Sequence, residues 1–241
     1  MHLSGQTDLH IPTSLIQRVV ELHFFYEFQL YLFLKTNASG KIKLDTSRLN
    51  LIASHLSIKS KSTIHARIRT LCDRNWIGFN SNSGIYFIRG FNNVCKIEGL
   101  NPKYAVVYFE DYSINFLGFL GAVIFMNFYK AVKRRLQNGA VSIKGETNHS
   151  HKAAPLYLPV SITGVANSLY ISRTLVHRLK SHAVKAELLF VKQRYTKLQF
   201  NSVNAFVIQR YLPNTFKKNG EFFLREVDSV YPILKTSLRR F

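Results

Sequence analysis

The same order of predicted elements occurs twice along this chain of 241 residues, and that repetition limits the folds that the sequence can adopt. Each copy begins with a long apolar helix, continues through two shorter helices separated by a tight turn, and ends in strand-like segments. The copies meet at Gly99-Leu100-Asn101-Pro102, a sequence typical of a break between elements. We therefore expect a mainly α, α+β protein of two domains, residues 1–100 and residues 101–241, the second with a basic C-terminal extension.

The first copy contains helices and strands that follow one another closely. Apolar residues recur at helical spacing through residues 13–35 and predict one long amphipathic helix. Side chains that can cap a helix and strand-like runs then predict the remaining elements. These are an extended stretch at 41–44, a helix from Asp45 or Thr46 to about Leu56, a helix from Ser60 or Ser62 to Arg74, and a hairpin of 76–79 with 85–88.

The second copy predicts a similar series of elements. These are a strand at 104–109, a helix that ends near Asn138, a helix from Ser161 or Thr163 to about Leu169, a helix from Ser172 to about Ala183, and a hairpin of 188–191 with 197–200. A polar loop is expected at 140–154, and residues 203–211 and 222–227 are further strand candidates.

Residues 112–129 carry no formal charge, and a run of that length is at the lower limit for a membrane-spanning helix. Asn115 and Asn127 interrupt the run, no second run of this kind occurs, and basic residues follow at its C-terminal end, where they favour a helix terminus. We interpret the run as the central helix of the second domain and expect no membrane attachment. The N-terminus lacks the basic and apolar regions of a signal peptide, and two cysteines form no disulfide framework, so we expect a cytoplasmic protein.

The sharpest motif lies at 166–179. Four small or apolar residues have the spacing of two helices that cross at a turn: Ala166, Leu169, Ile171 and Val176. The segment resembles the helix-turn-helix pattern A-x-x-L-G-[IV]-S-x-x-T-V-x-R-x-[IL], which many bacterial DNA-binding proteins share. Tyr170 stands where the pattern has glycine, so a non-glycine residue must adopt the turn conformation. Outward-facing positions of the second helix are the predicted DNA contacts: Ser172, Arg173, Thr174, His177, Arg178 and Lys180.

A looser copy of the motif lies at 52–71, with a slightly longer turn. The surrounding segment, 44–89, resembles the winged-helix domains of bacterial regulators, including the Trp76-Ile77 pair that opens the wing. The resemblance implies two winged-helix domains in tandem, each with a small β-hairpin wing. The predicted DNA contacts of the first domain are Lys61, Ser62, Thr63, His65, Arg67 and Arg69. Those beside the second wing are Lys192, Arg194 and Lys197.

Charge favours nucleic acid as the partner. The chain has 33 basic and 13 acidic residues, a formal charge of +20, which favours a polyanion. Residues 1–100 hold 12 basic and 6 acidic groups, whereas residues 101–241 hold 21 basic and 7 acidic groups. The second domain therefore has the larger positive charge and is the better candidate for binding nucleic acid. We predict a sequence-specific double-stranded DNA-binding protein, associated with the nucleoid and acting as a transcriptional regulator, without a cofactor or a small-molecule substrate.

Other functions stay open. Two winged helices in a basic chain of this length also resemble plasmid or phage replication initiators, which bind repeated origin sites and commonly use one winged helix for dimerisation. The aromatic content, with 19 Phe and 12 Tyr, also fits a protein-interaction surface or a homodimer. A membrane-surface protein would need residues 112–129 to be exposed.

Catalysis is not expected. His149 and His151 resemble the His-x-His of rolling-circle nucleases, but they flank a serine in a predicted loop, whereas those nucleases place the motif in a strand. The acidic residues are few and dispersed, so their spacing supplies no two-metal site. No glycine-rich phosphate-binding loop of the Walker type occurs either.

Overall fold

The protein is an α+β protein. The computed structural model describes residues 8–138, 156–198 and 214–238, and the loop at 140–154 and the strand candidate at 203–211 lie outside them. The described residues form a 3-10 helix at Glu110–Ser113 and these elements in chain order: β1 (Leu9–Pro12), α1 (Thr13–Glu21), α2 (Phe25–Asn37), β2 (Lys41–Lys43), α3 (Thr46–His55), α4 (Lys61–Asp73), β3 (Ile77–Asn80), β4 (Ile85–Ile88), α5 (Phe91–Ile97), β5 (Tyr104–Tyr108), α6 (Phe116–Gln137), β6 (Leu158–Pro159), α7 (Ile162–Leu169), α8 (Arg173–Lys185), β7 (Leu189–Lys192), β8 (Tyr195–Leu198), β9 (Thr215–Lys218), β10 (Glu221–Arg225), β11 (Ser229–Pro232) and β12 (Thr236–Leu238).

The N-terminal half follows the predicted order from β2 to β4. Asp45 caps α3, since its Oδ1 accepts a hydrogen bond from the backbone N–H of Arg48 at 2.8 Å, and Ser60 caps α4. The predicted hairpin forms from β3 and β4, and β2 pairs with the other edge of β4 to complete an antiparallel sheet. Helix α5, which the sequence analysis did not predict, follows this sheet.

The Glu98 carboxylate, just beyond α5, joins that helix to the end of α4. It accepts a hydrogen bond from the indole N–H of Trp76 at 2.9 Å, and Arg74 Nη2 lies 2.8 Å from both of its oxygens. Trp76 is fully buried. Because its indole N–H has an acceptor, the large ring of Trp76 can lie in the core without an unsatisfied polar atom.

The predicted single helix at 13–35 is wrong. The chain forms α1 and α2 instead, and His23 between them adopts a left-handed conformation with φ of 56°. The backbone N–H of Phe24 donates to the carbonyl of Val19 at 2.9 Å, which closes the end of α1. The break lets α1 pack against α6 while α2 packs against α4. The apolar faces of α1 and α2 are therefore buried against different helices.

The predicted hairpin of 188–191 with 197–200 is also wrong. Strand β7 pairs with β11, and β8 pairs with β10. The sheet of the C-terminal half therefore has the order β6-β11-β7, and a second sheet of order β8-β10-β9 is inserted between β7 and β11. The segment at 222–227, a strand candidate, contributes to β10. Helices α7 and α8 match their predictions, with Ser161 and Ser172 as caps.

One continuous core runs through both halves. Strand β5 lies at the centre of a fourth sheet, paired with β1 from the N-terminal part of the chain and with β12 from the C-terminal part. Helix α1 of the first half also packs against α6 of the second. The predicted boundary between residues 100 and 101 falls between α5 and β5, and packed side chains cross it.

Helix α6 packs closely on α8. It is the one helix among the described residues that is long and apolar enough to cross a membrane, and 56% of its most apolar window is buried within the protein. A Cβ at Gly121 would overlap the backbone carbonyl of Leu179, and one at Gly118 would lie 2.8 Å from Ala186 Cβ. The two glycines therefore let the backbones of α6 and α8 approach more closely than any side chain would allow.

Replacing Gly121 by Ala should lower the free energy of unfolding by about 1 to 3 kcal/mol, because the added methyl group forces α6 and α8 apart. Gly164→Ala in α7 is the matched control. Its Cβ would lie at an ordinary 3.6 Å from Ser161 Cβ, so helix propensity should leave that variant as stable as the wild type or up to about 1 kcal/mol more stable. Urea unfolding followed by circular dichroism measures both. Equal stability of Gly121→Ala and the wild type would contradict the close helix crossing.

Candidate nucleic-acid interface

The turns of the two predicted helix-turn-helix segments each contain a non-glycine residue in the left-handed conformation. The turn residues are Ser57 and Tyr170, which have φ of 53° and 54°. In each turn the next backbone N–H closes the preceding helix: Ile58 donates to the Ala53 carbonyl at 2.8 Å, and the same bond in the second copy measures 3.1 Å. The left-handed conformation predicted at Tyr170 is confirmed, and its side chain is 96% exposed, so the large ring meets no obstacle.

The second helix of each segment also ends in the same way. Helices α4 and α8 contain thirteen residues each, and Asn75 and Glu187 follow them with φ of 62° and 57°. The backbone N–H of Trp76 then donates to the Leu71 carbonyl at 2.9 Å, and the equivalent bond in the second copy measures 3.0 Å. The two copies therefore share a left-handed turn residue and the same helix ending, although the first copy has one more residue between the turn residue and the helix cap.

Helix α8 presents a cationic face to solvent. The predicted contacts that are exposed there are Ser172, Arg173, Thr174, His177 and Arg178. Within the described part of the chain, neither arginine forms an ion pair, and α8 itself contains no acidic residue. The opposite face of α8 packs in the core through Leu175, Val176, Leu179 and Ala183. The helix thus keeps two unpaired guanidinium groups available to an anionic partner.

Lys180 does not lie on this face, contrary to the prediction. Its side chain is 9% exposed, and its Nζ lies 2.5 Å from Asp228 Oδ2. Lys180 follows Val176 by one helical turn, so it occupies a core-facing position, and Ile68 occupies the same position in α4. The charge of Lys180 suggested exposure, but the segment before β11 supplies a carboxylate that pairs with it inside the protein.

Burial raises the pKa of Asp228, but the hydrogen bond and the positive charge of Lys180, together with Arg225, outweigh that effect. The net pKa of Asp228 therefore lies below its ordinary value. Arg225 Nη2 lies 3.4 Å from the same carboxylate. Asp228 thus stays ionised at neutral pH and connects α8 to the inserted sheet and to β11.

Helix α4 exposes fewer of its predicted DNA contacts than α8 does. Its exposed predicted contacts are Lys61, Ser62, His65 and Arg69, while Thr63 and Arg67 are half-buried. The guanidinium of Arg67 lies 4.9 Å from the ring centroid of Tyr26, a cation–π contact that holds it against α2. The main contact of Arg67 is therefore the one that packs α4 against α2.

The three predicted contacts beside the second wing lie where the inserted sheet begins. Lys192 is exposed at the end of β7, and Arg194 lies half-buried in the connection to β8. Lys197 forms an ion pair with Glu221 across β8 and β10. Lys217 and Lys218 lie on β9 of the same sheet. No local signal predicts this, because β9 is joined to β8 only through β10.

No protein-family model, curated protein or solved structure matches this chain. Among the described residues, no group of three or more His, Cys, Asp or Glu side chains is placed to hold a metal ion. His149 and His151 lie outside those residues. The interpretation of α4 and α8 therefore depends on the internal repeat, on the motif at 166–179 and on charge.

Proposed function

We infer that the protein binds double-stranded DNA sequence-specifically through two winged helices in tandem, with α4 and α8 as their recognition helices. The internal repeat carries this proposal. Each half runs helix, strand, helix, helix, strand, strand: α2-β2-α3-α4-β3-β4 in the first and α6-β6-α7-α8-β7-β11 in the second. That is the order of a winged helix, and in the second copy the inserted sheet stands where a short hairpin loop would be.

Electrostatics support duplex DNA as the partner. Recognition helices need cations for phosphate oxygens and hydrogen-bonding side chains for base edges. The exposed face of α8 offers both kinds of group, with Arg173 and Arg178 beside Thr174 and His177. The net charge of +20 draws the chain to a polyanion from a distance. Because both halves share a core, the two recognition helices keep a set relative orientation, which suits two half-sites on one duplex and a transcriptional regulator.

A replication initiator is the second candidate, and the difference between the two halves favours it. Helix α4 has fewer free cations than its sequence suggests, because Arg67 packs on Tyr26. The net charge of residues 1–100 is +6 (12 − 6), against +14 (21 − 7) for residues 101–241. Such a division suits a first winged helix that mediates homodimerisation and a second that contacts origin repeats. An initiator should bind several copies of one site, whereas a regulator should bind a single inverted or direct repeat.

Selection of bound sequences from a random duplex library tests the proposal. At about 0.2 M salt, where counterion-driven binding is suppressed, a defined motif should be enriched. If both recognition helices contact bases, the motif should contain two half-sites about one helical turn apart. Folded, soluble protein that enriches no sequence under these conditions would overturn sequence-specific DNA binding.

A further inference from the structure

We propose that a cleft between the two halves binds a phosphate ester of about nucleotide size, separately from the recognition helices. The cleft has a volume of about 630 Å³ and forms where α1, the 101–104 connection and α6 meet. Binding sites for small ligands commonly have volumes of about 300 to 1,000 Å³. No described residue of α4 or α8 lines it, so DNA on those helices would not occupy the cleft.

The charged residues that line the cleft all have the same sign. Lys103 comes from the connection, and Lys130, Lys133 and Arg134 come from successive turns of α6. No acidic side chain lines it among the described residues. Four cations around one concave surface, with no carboxylate among the lining residues that the structure describes, favour a ligand with several negative charges.

Lys130 has two contacts beside the cleft. It is half-buried, its Nζ donates a hydrogen bond to Thr236 Oγ1 at 3.1 Å, and it lies 5.3 Å from the ring centroid of Tyr104. Burial lowers the pKa of Lys130, and the charge of Arg134 lowers it further. An anion held between these two side chains would relieve both effects, because it would replace lost hydration and offset the repulsion between them.

The rest of the cleft lining offers polar and apolar groups. The hydroxyl of Ser14 is buried and has no hydrogen-bond partner among the described residues, and Gln17 lies one turn further along α1. Tyr104 and Phe128 add aromatic surface. A phosphate group would bind beside the cations, and an organic group would pack beside the aromatic rings. For this reason the ligand is a phosphate ester rather than a simple ion.

Calorimetric titration of the full chain with ADP, inorganic pyrophosphate and adenosine tests the proposal. In 0.15 M salt we expect ADP and pyrophosphate to bind and adenosine to bind at least about tenfold more weakly than ADP, since it lacks charge-assisted bonds to the cations. The double variant Lys130→Met/Arg134→Met should lose at least about tenfold in ADP affinity. Arg134→Gln alone changes an exposed side chain, so it reports on the cleft even if the double variant fails to fold.

The matched control removes two cations elsewhere, in Lys217→Met/Lys218→Met, and should keep wild-type ADP affinity. Equal losses in both double variants, or no binding of ADP and pyrophosphate by the wild type, would overturn the proposal. If neither ligand binds but Lys130→Met/Arg134→Met weakens duplex binding more than the control does, the cleft contacts DNA phosphates instead, which also overturns it. Binding of ADP by a wild type that binds no duplex would support the cleft and refute only the DNA-binding function.

Discussion

Replacing Asp228 by Ala should lower the free energy of unfolding by about 3 to 5 kcal/mol, because the ammonium group of Lys180 then stays buried without a partner. Lys180 is 7% exposed, and its Nζ lies 2.5 Å from Asp228 Oδ2. Equilibrium unfolding in urea, followed by circular dichroism, measures the change. Loss of the pair should also loosen the start of β11 from α8, since Asp228 directly precedes that strand.

Two controls separate a buried unpaired charge from the loss of any ion pair. Lys180→Met/Asp228→Ala removes both charges and should recover most of the lost stability, because an apolar side chain suits this core-facing position. Glu221→Ala breaks the ion pair between Lys197 and Glu221, whose side chains are 53% and 47% exposed, respectively. This substitution should lower the free energy of unfolding by less than about 1 kcal/mol. If Asp228→Ala were no more destabilising than Glu221→Ala, the pair would not be buried in solution.

The effect should depend on pH in one direction. Burial raises the pKa of Asp228, but Lys180 and Arg225 lower it by a larger amount. The pKa of Asp228 in the folded protein therefore lies below its ordinary value of 3.8. A carboxyl whose pKa is lower in the folded state stabilises the protein fully above its unfolded pKa, and that stabilisation is lost as the pH falls through the folded value. The stability difference between wild type and Asp228→Ala should therefore shrink as the pH falls below about 5.

Local chemistry predicted the elements nearest the motif correctly. Ser60 or Ser62 was predicted to begin one helix and Ser172 the other, and Ser60 and Ser172 cap them. Tyr170 was expected in a left-handed turn because the pattern has glycine there, and its φ is 54°. These features depend on hydrogen bonds between residues a few positions apart, which the sequence alone can specify.

Features that depend on distant partners could not be predicted. Strand β7 pairs with β11, whose residues lie far along the chain, and nothing in 188–191 distinguishes that partner from the nearer β8. The break at His23 has neither glycine nor proline to mark it, and it forms because α1 and α2 pack on different helices. Lys180 is the instructive case within the candidate site: it was predicted at an outward-facing position, whereas it lies one turn after Val176 on the core-facing side, where Asp228 pairs with it.

Replacing Arg173 and Arg178 by Ala should weaken binding to the selected duplex by about 1 to 3 kcal/mol for each arginine that contacts a base. Both side chains are exposed, and neither forms an ion pair within the described part of the chain. Their loss should therefore change the free energy of unfolding by no more than about 0.5 kcal/mol. Fluorescence anisotropy with the selected and a scrambled duplex, at several salt concentrations, measures affinity and preference together.

The comparison of three variants decides what each half contributes. Lys217→Ala/Lys218→Ala removes the same charge from β9 and should weaken binding to both duplexes alike, since lost phosphate contacts carry no sequence preference. Lys61→Ala/Arg69→Ala tests α4: a loss of preference at one half-site would mean that both helices contact bases, as in a regulator. Unchanged preference with α4 altered, together with loss at α8, would favour the initiator, in which the first winged helix joins two copies of the chain. If Arg173→Ala/Arg178→Ala kept wild-type affinity and preference, α8 would not be a recognition helix, because no other exposed face of that helix carries two arginines.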